Sequence, residues 1–170
     1  GMGIVASCTV APKAGMKVRV NSDEIRHLRR INLELLLSSG NHDCTLCSKS
    51  NNCKLQKLAK DMDVTEIRFK SKKLDSHKDA TSPALVRDHS KCILCGNCVR
   101  ICNEVQGIGA IDFAFRGFRS KIATAFNKEL GQSHECVSCG QCARVCPTGA
   151  LMPNSSEIEE VFKAINDPKK

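Results

Sequence analysis

The sequence predicts an α+β fold in which a small helical domain precedes a cysteine-rich domain with short strands. Three observations predict it. Apolar residues recur with helical period between residues 22 and 62, apolar residues alternate between 110 and 118, and eleven of the twelve cysteines fall into three tight runs. Two of these are Cys92-Ile-Leu-Cys95-Gly-Asn-Cys98-Val-Arg-Ile-Cys102 and Cys136-Val-Ser-Cys139-Gly-Gln-Cys142-Ala-Arg-Val-Cys146-Pro147. The third is Cys44, Cys47 and Cys53, with His42 just upstream. The chain has no Trp and no Tyr. With so few large anchors, metal ligation would supply part of the folding energy.

Taken in order, Pro12 to Gly15 reads as a turn, and Val18, Arg19 and Val20 read as the end of a strand. Asn21 or Ser22 then offers a helix cap, with Asp23 and Glu24 in the first turn. Ile25, Leu28, Asn32, Leu35 and Leu36, widened by Ile31, set out the predicted face, and Gly40 and Asn41 close the helix. A second helical stretch runs from Lys54 to about Met62, and residues 70 to 83, charged and ending in Pro83, read as a linker or strap. From Val86 the cysteine-rich domain begins. Ile111, Phe113 and Phe115 alternate in a predicted strand whose phenylalanines would pack over the core, Arg116-Gly117 turns, and a second strand spans Lys121 to Phe126. Ser155 or Ser156 caps a last helix carrying Ile158, Val161, Phe162 and Ile165. The predicted boundaries are 1–21, 22–80, 81–153 and 154–170.

Each four-cysteine run has C-x2-C-x2-C-x3-C spacing, the known ligand pattern of [4Fe–4S] clusters in two-cluster bacterial ferredoxins. Closely spaced thiolates can curl around one corner of a cuboidal cluster, and in that pattern the fourth cysteine comes from the other run. The pattern therefore assigns Cys92, Cys95, Cys98 and Cys146 to one cluster and Cys136, Cys139, Cys142 and Cys102 to the other. A disulfide framework is disfavoured because the N-terminus carries no signal-peptide pattern. Structural zinc is disfavoured because it usually pairs two C-x2-C units across a loop. No apolar run is long enough for a membrane span, and abundant unpaired thiols suit a cytoplasmic protein.

The formal net charge is +8. Two four-thiolate clusters at about −2 each and a three-cysteine, one-histidine site at about −1 would leave roughly +3. The densest basic group, Lys70, Lys72 and Lys73, reads as a solvated face. No dinucleotide fingerprint or Walker A motif occurs, and no acid–base pair or nucleophile stands out. His27, His77, His89 and His134 have bland readings, on a helix surface, in or near the linker, or exposed beside Cys136.

Together with His42, Cys44, Cys47 and Cys53, the chain resembles the accessory iron–sulfur region of iron-iron hydrogenases. It is also similar to the large iron–sulfur subunit of complex I and to NAD-linked formate dehydrogenases. The telling segments are Leu33-Glu34-Leu35-Leu36-Leu37, Cys53-Lys54-Leu55-Gln56, Lys91-Cys92-Ile93-Leu94-Cys95-Gly96 and Pro147-Thr148-Gly149-Ala150-Leu151. The resemblance implies a third [4Fe–4S] cluster on Cys44, Cys47 and Cys53, with His42 as fourth ligand. The family's histidine stands four residues before its first cysteine, where this chain has Gly40. His42 would therefore reach the iron through a reversal at Gly40-Asn41; otherwise Asp43, water or an open iron site completes the set. Zinc is the alternative metal there.

Residues 1–21 resemble the end of the family's [2Fe–2S] domain, of which Cys8 alone remains. Cys8 is then a free thiol unless another chain supplies the missing ligands. Residues Glu157 to Pro168 resemble the helix that leads into a hydrogenase catalytic domain. The resemblance implies an electron-transfer subunit or fragment, not an enzyme on its own, which relays single electrons between a redox partner and a larger oxidoreductase. Its partners would be redox proteins or a catalytic domain, with no nucleic acid and no membrane span. Two other readings are a zinc-stapled basic nucleic-acid-binding module and an iron–sulfur redox-sensing regulator.

Overall fold

The computed structural model describes residues 3–41, 43–45, 47–74, 76–154 and 156–167, with side chains left aside at 156–160. Its first regular element is helix α1, Asp23–Ser39, capped by the Ser22 hydroxyl, which accepts from the Ile25 N–H at 3.3 Å. No strand forms at Val18–Val20, where both valines are exposed: a lone extended segment has no neighbour to pair with. The buried face of α1 is Leu33, Glu34, Leu37 and Ser38, whereas Leu28, Leu35 and Leu36 are exposed. The apolar stripe expected from Ile25, Leu28, Leu35 and Leu36 is thus rotated. Glu34 takes an inward position because Arg68 clasps it through two hydrogen bonds, Nε at 2.7 Å and Nη2 at 3.0 Å. Arg30 adds a third at 3.3 Å. These guanidinium groups hold the Glu34 carboxyl below its ordinary pKa, the Arg68 bond being the largest cause.

Helix α2, Lys54–Asp61, packs Leu55 against Leu33 and Leu37, with Cys53, Ala59, Met62, Val64 and Ile93 around them. The segment that follows is a strap with a defined job. Leu74 N–H donates to Ser39 O, and Lys73 Nζ donates to the carbonyls of Ser38 and Gly40. Lys73 therefore caps the C-terminal end of α1, which has no basic residue in its own last turn, and is not part of a merely solvated face.

The second region contains two antiparallel sheets. Strands β1 (Lys78–Asp79), β2 (Leu85–Asp88) and β5 (Leu151–Pro153) form one in the order β1-β2-β5, so part of the expected linker is a strand. Asp79 stands opposite Arg87, and Arg87 opposite Leu151. Strands β3 (Ile111–Ala114) and β4 (Lys121–Thr124) form a hairpin with Phe113 opposite Ile122. Short helices α3 (Asn97–Arg100) and α4 (Gln141–Val145) follow the cysteine loops, and α3 runs on into a π-helical turn at Ile101–Val105. The core joins Leu85, Cys98, Val99, Ile111, Ile122, Leu130, Ala143 and Leu151, with Cys92, Cys102, Cys136, Cys142 and Cys146 packed against it.

The hairpin phenylalanines depart from expectation. Phe113, Phe115, Phe118 and Phe126 are 53%, 54%, 77% and 93% exposed, so they are a surface feature and not core. On β3 it is Ile111 that is buried, Phe113 on the same face lying beyond the core. The second strand stops at Thr124, and Phe126 adopts a left-handed φ of 56°. Helix α5, Ser156–Ile165, closes the described chain with Val161, Phe162 and Ile165 exposed; Ser155 and the Ile158 side chain lie outside the described residues.

Candidate iron–sulfur centres

The two four-cysteine loops have the same backbone. Leu94 and Ser138 take left-handed φ values of 54° and 55° just before the second cysteine of each run. Gly96 and Gly140, at 72° and 74°, then start α3 and α4. Two left-handed residues in five turn each loop tightly enough to aim three thiols inward. At 96 a Cβ would also crowd the Phe113 ring, at 3.1 Å.

Two apolar cavities result. One is lined by Cys92, Cys95, Cys98 and Cys146, together with Arg87, Asp88, His89, Ile122 and Leu151. The other is lined by Cys102, Cys136, Cys139 and Cys142, again with Arg87, Ile122 and Leu151. Each cavity takes three thiols from one run and one from the other. The electrostatics pair the same residues. Burial pushes the Cys98 thiol up to about 12, helped by Cys92, Cys146 and Cys95. Burial pushes Cys142 up to about 11, opposed by the Ala143 N–H and helped by Cys136, Cys139 and Cys102. Cys92 is raised too, by burial first, although its sulfur accepts the Leu94 N–H at 3.4 Å.

Among the described residues no three His, Cys, Asp or Glu side chains are grouped to hold a single metal ion. The donor chemistry fits a wider, thiolate-bound group instead: four sulfurs around an apolar cavity. A second observation supports the fit. Arg87 lines both cavities, is buried, and leaves Nε and Nη1 without a hydrogen-bond partner. Sequence reasoning missed Arg87, but its parity with Leu85 on β2 could have placed it inward. It also misplaced His89, which is buried and lines the first cavity.

The third cysteine set is looser. Cys44 is exposed, and Cys47 and Cys53 are half-buried. Burial, then the neighbouring Cys47, Cys53 and Asp43, raises the Cys44 thiol, so these groups sense one another. His42 lies outside the described residues. Asp43, the alternative fourth donor, commits Oδ1 to the Thr45 N–H and hydroxyl. The loop is docked on the other domain: Asn41 N–H donates to Ser90 O at 2.8 Å, and Lys54 N–H to Pro147 O at 3.1 Å. A Cβ at Gly149 would sit 3.3 Å from Cys47 Sγ. Cys8 is exposed, with no regular structure around it, and His134 is exposed.

Residues 29–68 match the NADH-ubiquinone oxidoreductase-G iron-sulfur binding region, and residues 91–150 match the 4Fe-4S dicluster domain. The chain is an iron–sulfur electron-transfer protein related to hydrogenase and complex I subunits. It is 38% identical over 167 residues to the NADP-reducing hydrogenase subunit HndD of Solidesulfovibrio fructosivorans, covering 98% of this chain and 28% of that one. Iron hydrogenase 1 of Clostridium pasteurianum is 32% identical over 171 residues, covering all of this chain and 29% of that protein. Among solved structures, an NAD+-reducing [NiFe]-hydrogenase in the H2-reduced state matches with a TM-score of 0.80 and 34% identity, over 89% of this chain and 64% of that one. The chain thus spans under a third of both curated relatives. Clusters of the 4Fe-4S type follow from the matched domains, and nothing in them supports the nucleic-acid reading. Among the described residues no helix is long and apolar enough to cross a membrane.

Proposed function

We propose that the chain holds three [4Fe–4S] clusters and relays single electrons along them within a larger oxidoreductase. The observation that carries this is the lining of the two cavities, three cysteines of one run plus one of the other in each. Cys92, Cys95, Cys98 and Cys146 would hold one cluster, and Cys136, Cys139, Cys142 and Cys102 a second. Cys44, Cys47 and Cys53, with His42, would hold the third. The clusters supply reversible one-electron chemistry at low potential. The chain's own residues set the order. Cys47 adjoins Gly149, three residues past Cys146, and the two cavities share Arg87, Ile122 and Leu151. On this reading the Cys92 site would lie between the other two. Apolar lining limits water around the thiolates, and N–H groups such as that of Leu94 donate to sulfur and stabilise its charge.

The three-cysteine site would differ because a neutral imidazole in place of a thiolate removes one negative charge and raises the potential. No substrate is handled by this part of the protein, and its setting is the cytoplasm. The electron partner would be a redox protein or catalytic domain of the hydrogenase or formate dehydrogenase kind. The β3–β4 hairpin is a suitable contact surface, with exposed Phe113, Phe115 and Phe118 beside Arg116, Arg119 and Lys121. Anaerobic protein should contain about 12 irons and matching sulfide, from three sites of four. Colourless protein carrying stoichiometric zinc would overturn the reading.

A further inference from the structure

Among the described residues, Arg87 is the one charged side chain that lines both cavities. It stands at the centre of the β1-β2-β5 sheet, 5% exposed, directly opposite Asp79. Its Nη2 donates to Asp79 Oδ2 at 3.0 Å and contacts the Lys128 carbonyl at 3.4 Å. Asp79 is itself fully engaged: Oδ2 also accepts the Leu130 N–H at 2.8 Å, and Oδ1 accepts the N–H and hydroxyl of Thr81. The ion pair therefore fixes one edge of the guanidinium. The remaining Nε–H and Nη1–H have no protein partner, although both are buried. A buried donor left unpaired carries a desolvation cost, larger for a charged group. The residues that share these cavities with Arg87 are mainly cysteines and apolar side chains.

We propose that Arg87 is a shared tuning residue, whose fixed positive charge and two spare donor nitrogens raise the reduction potentials of both cysteine-lined sites together. The inference rests on the ligand sets proposed above. A four-thiolate [4Fe–4S] site at about −2 becomes about −3 on reduction, so a cation between two such sites favours the reduced form of each. Asp79 opposes this by partly neutralising the guanidinium while holding it in place. The two residues should therefore act with opposite sign, which a purely structural ion pair would not do.

The test is an anaerobic EPR-monitored redox titration of the full chain, wild type against Arg87→Gln and Asp79→Asn. Iron and sulfide counts come first. If the wild type lacks two [4Fe–4S] clusters in this domain, the ligand reading fails, and with it the inference. If it has them, Arg87→Gln should lower both midpoints, shifting each reduced-to-oxidised ratio about tenfold at fixed potential, or about 59 mV for one electron. The three-cysteine site should move much less. Asp79→Asn should raise both midpoints. Unchanged midpoints in a cluster-loaded Arg87→Gln, or a change at one cluster alone, would overturn shared tuning. Should Arg87→Gln fail to retain clusters, Asp79→Asn decides: upward shifts at both sites support the proposal, and no shift or a downward one overturns it.

Discussion

The eight-cysteine region and the three-cysteine loop solve the same problem with different amounts of support. In the first, paired left-handed residues and two short helices shape each loop, and a shared apolar core packs six of the eight cysteines, Cys95 and Cys139 being exposed. In the second, Cys44 is exposed on a loop whose firm contacts lie at its ends, Asn41 to Ser90 and Lys54 to Pro147. The difference teaches that ligand spacing alone does not make a rigid site. The dicluster loops have core packing in addition to any ligation, whereas the early loop has less and depends more on ligation to order it.

The largest test of that contrast removes one ligand from each region. Cys146→Ser should lose the cluster of the Cys92 run, about four irons, and also weaken the remaining fold, because Cys146 ties two halves together. Cys44→Ser should lose about four irons while the dicluster spectrum survives. Iron counts and EPR of the two variants decide it. If Cys44→Ser also abolishes the dicluster signals, the two regions are not independently supported.

How much of this could be read beforehand depends on what determined each feature. The hairpin was legible because alternation is local, and spacing likewise grouped the cysteines that line each cavity. The face of α1 was not, because Glu34 is buried only by virtue of Arg68, thirty-four residues away. The phenylalanines were misjudged for a related reason. Alternation puts Ile111 and Phe113 on one side of β3, but only Ile111 is covered by the core; Phe113 lies farther along the same face and is exposed, and Phe115 falls past the strand with a left-handed φ of 64°. Lys73 looked like part of a charged run until its two carbonyl partners were visible.

A backbone test of the better-supported region comes next in size. A Cβ at Gly131 would lie 2.3 Å from the Thr81 carbonyl oxygen, a clash with main chain that cannot swing away. Gly131→Ala should therefore cost roughly 3 kcal/mol, read as a lower midpoint in anaerobic denaturant unfolding of the cluster-loaded protein. The helical region has its own core, so Leu33→Ala, at a position 2% exposed, should cost about 3 kcal/mol there. Hydrogen exchange should show the loss confined to α1 and α2. If protection falls equally in the dicluster sheets, the two cores are one unit.

A smaller effect concerns protons. Burial holds the Cys98 and Cys142 thiols at about 12 and about 11 in the metal-free chain, so both are protonated at neutral pH. Cluster assembly must expel those protons, and its extent should rise with pH between 7 and 9 at fixed iron and sulfide, with measurable acid release. The sign for the metal-free fold is the reverse. A thiol raised above its unfolded value destabilises that fold as pH climbs from about 9 toward 12, because the unfolded chain ionises first. Circular dichroism of the metal-free chain over that window checks it.

The central claim is that each cluster of the dicluster domain draws its fourth thiolate from the opposite run. An anaerobic crystal structure with iron located by anomalous scattering tests it most directly. The expected result is one cubane bonded to Cys92, Cys95, Cys98 and Cys146, and another to Cys136, Cys139, Cys142 and Cys102. A cubane bonded to Cys136, Cys139, Cys142 and Cys146 together would contradict it.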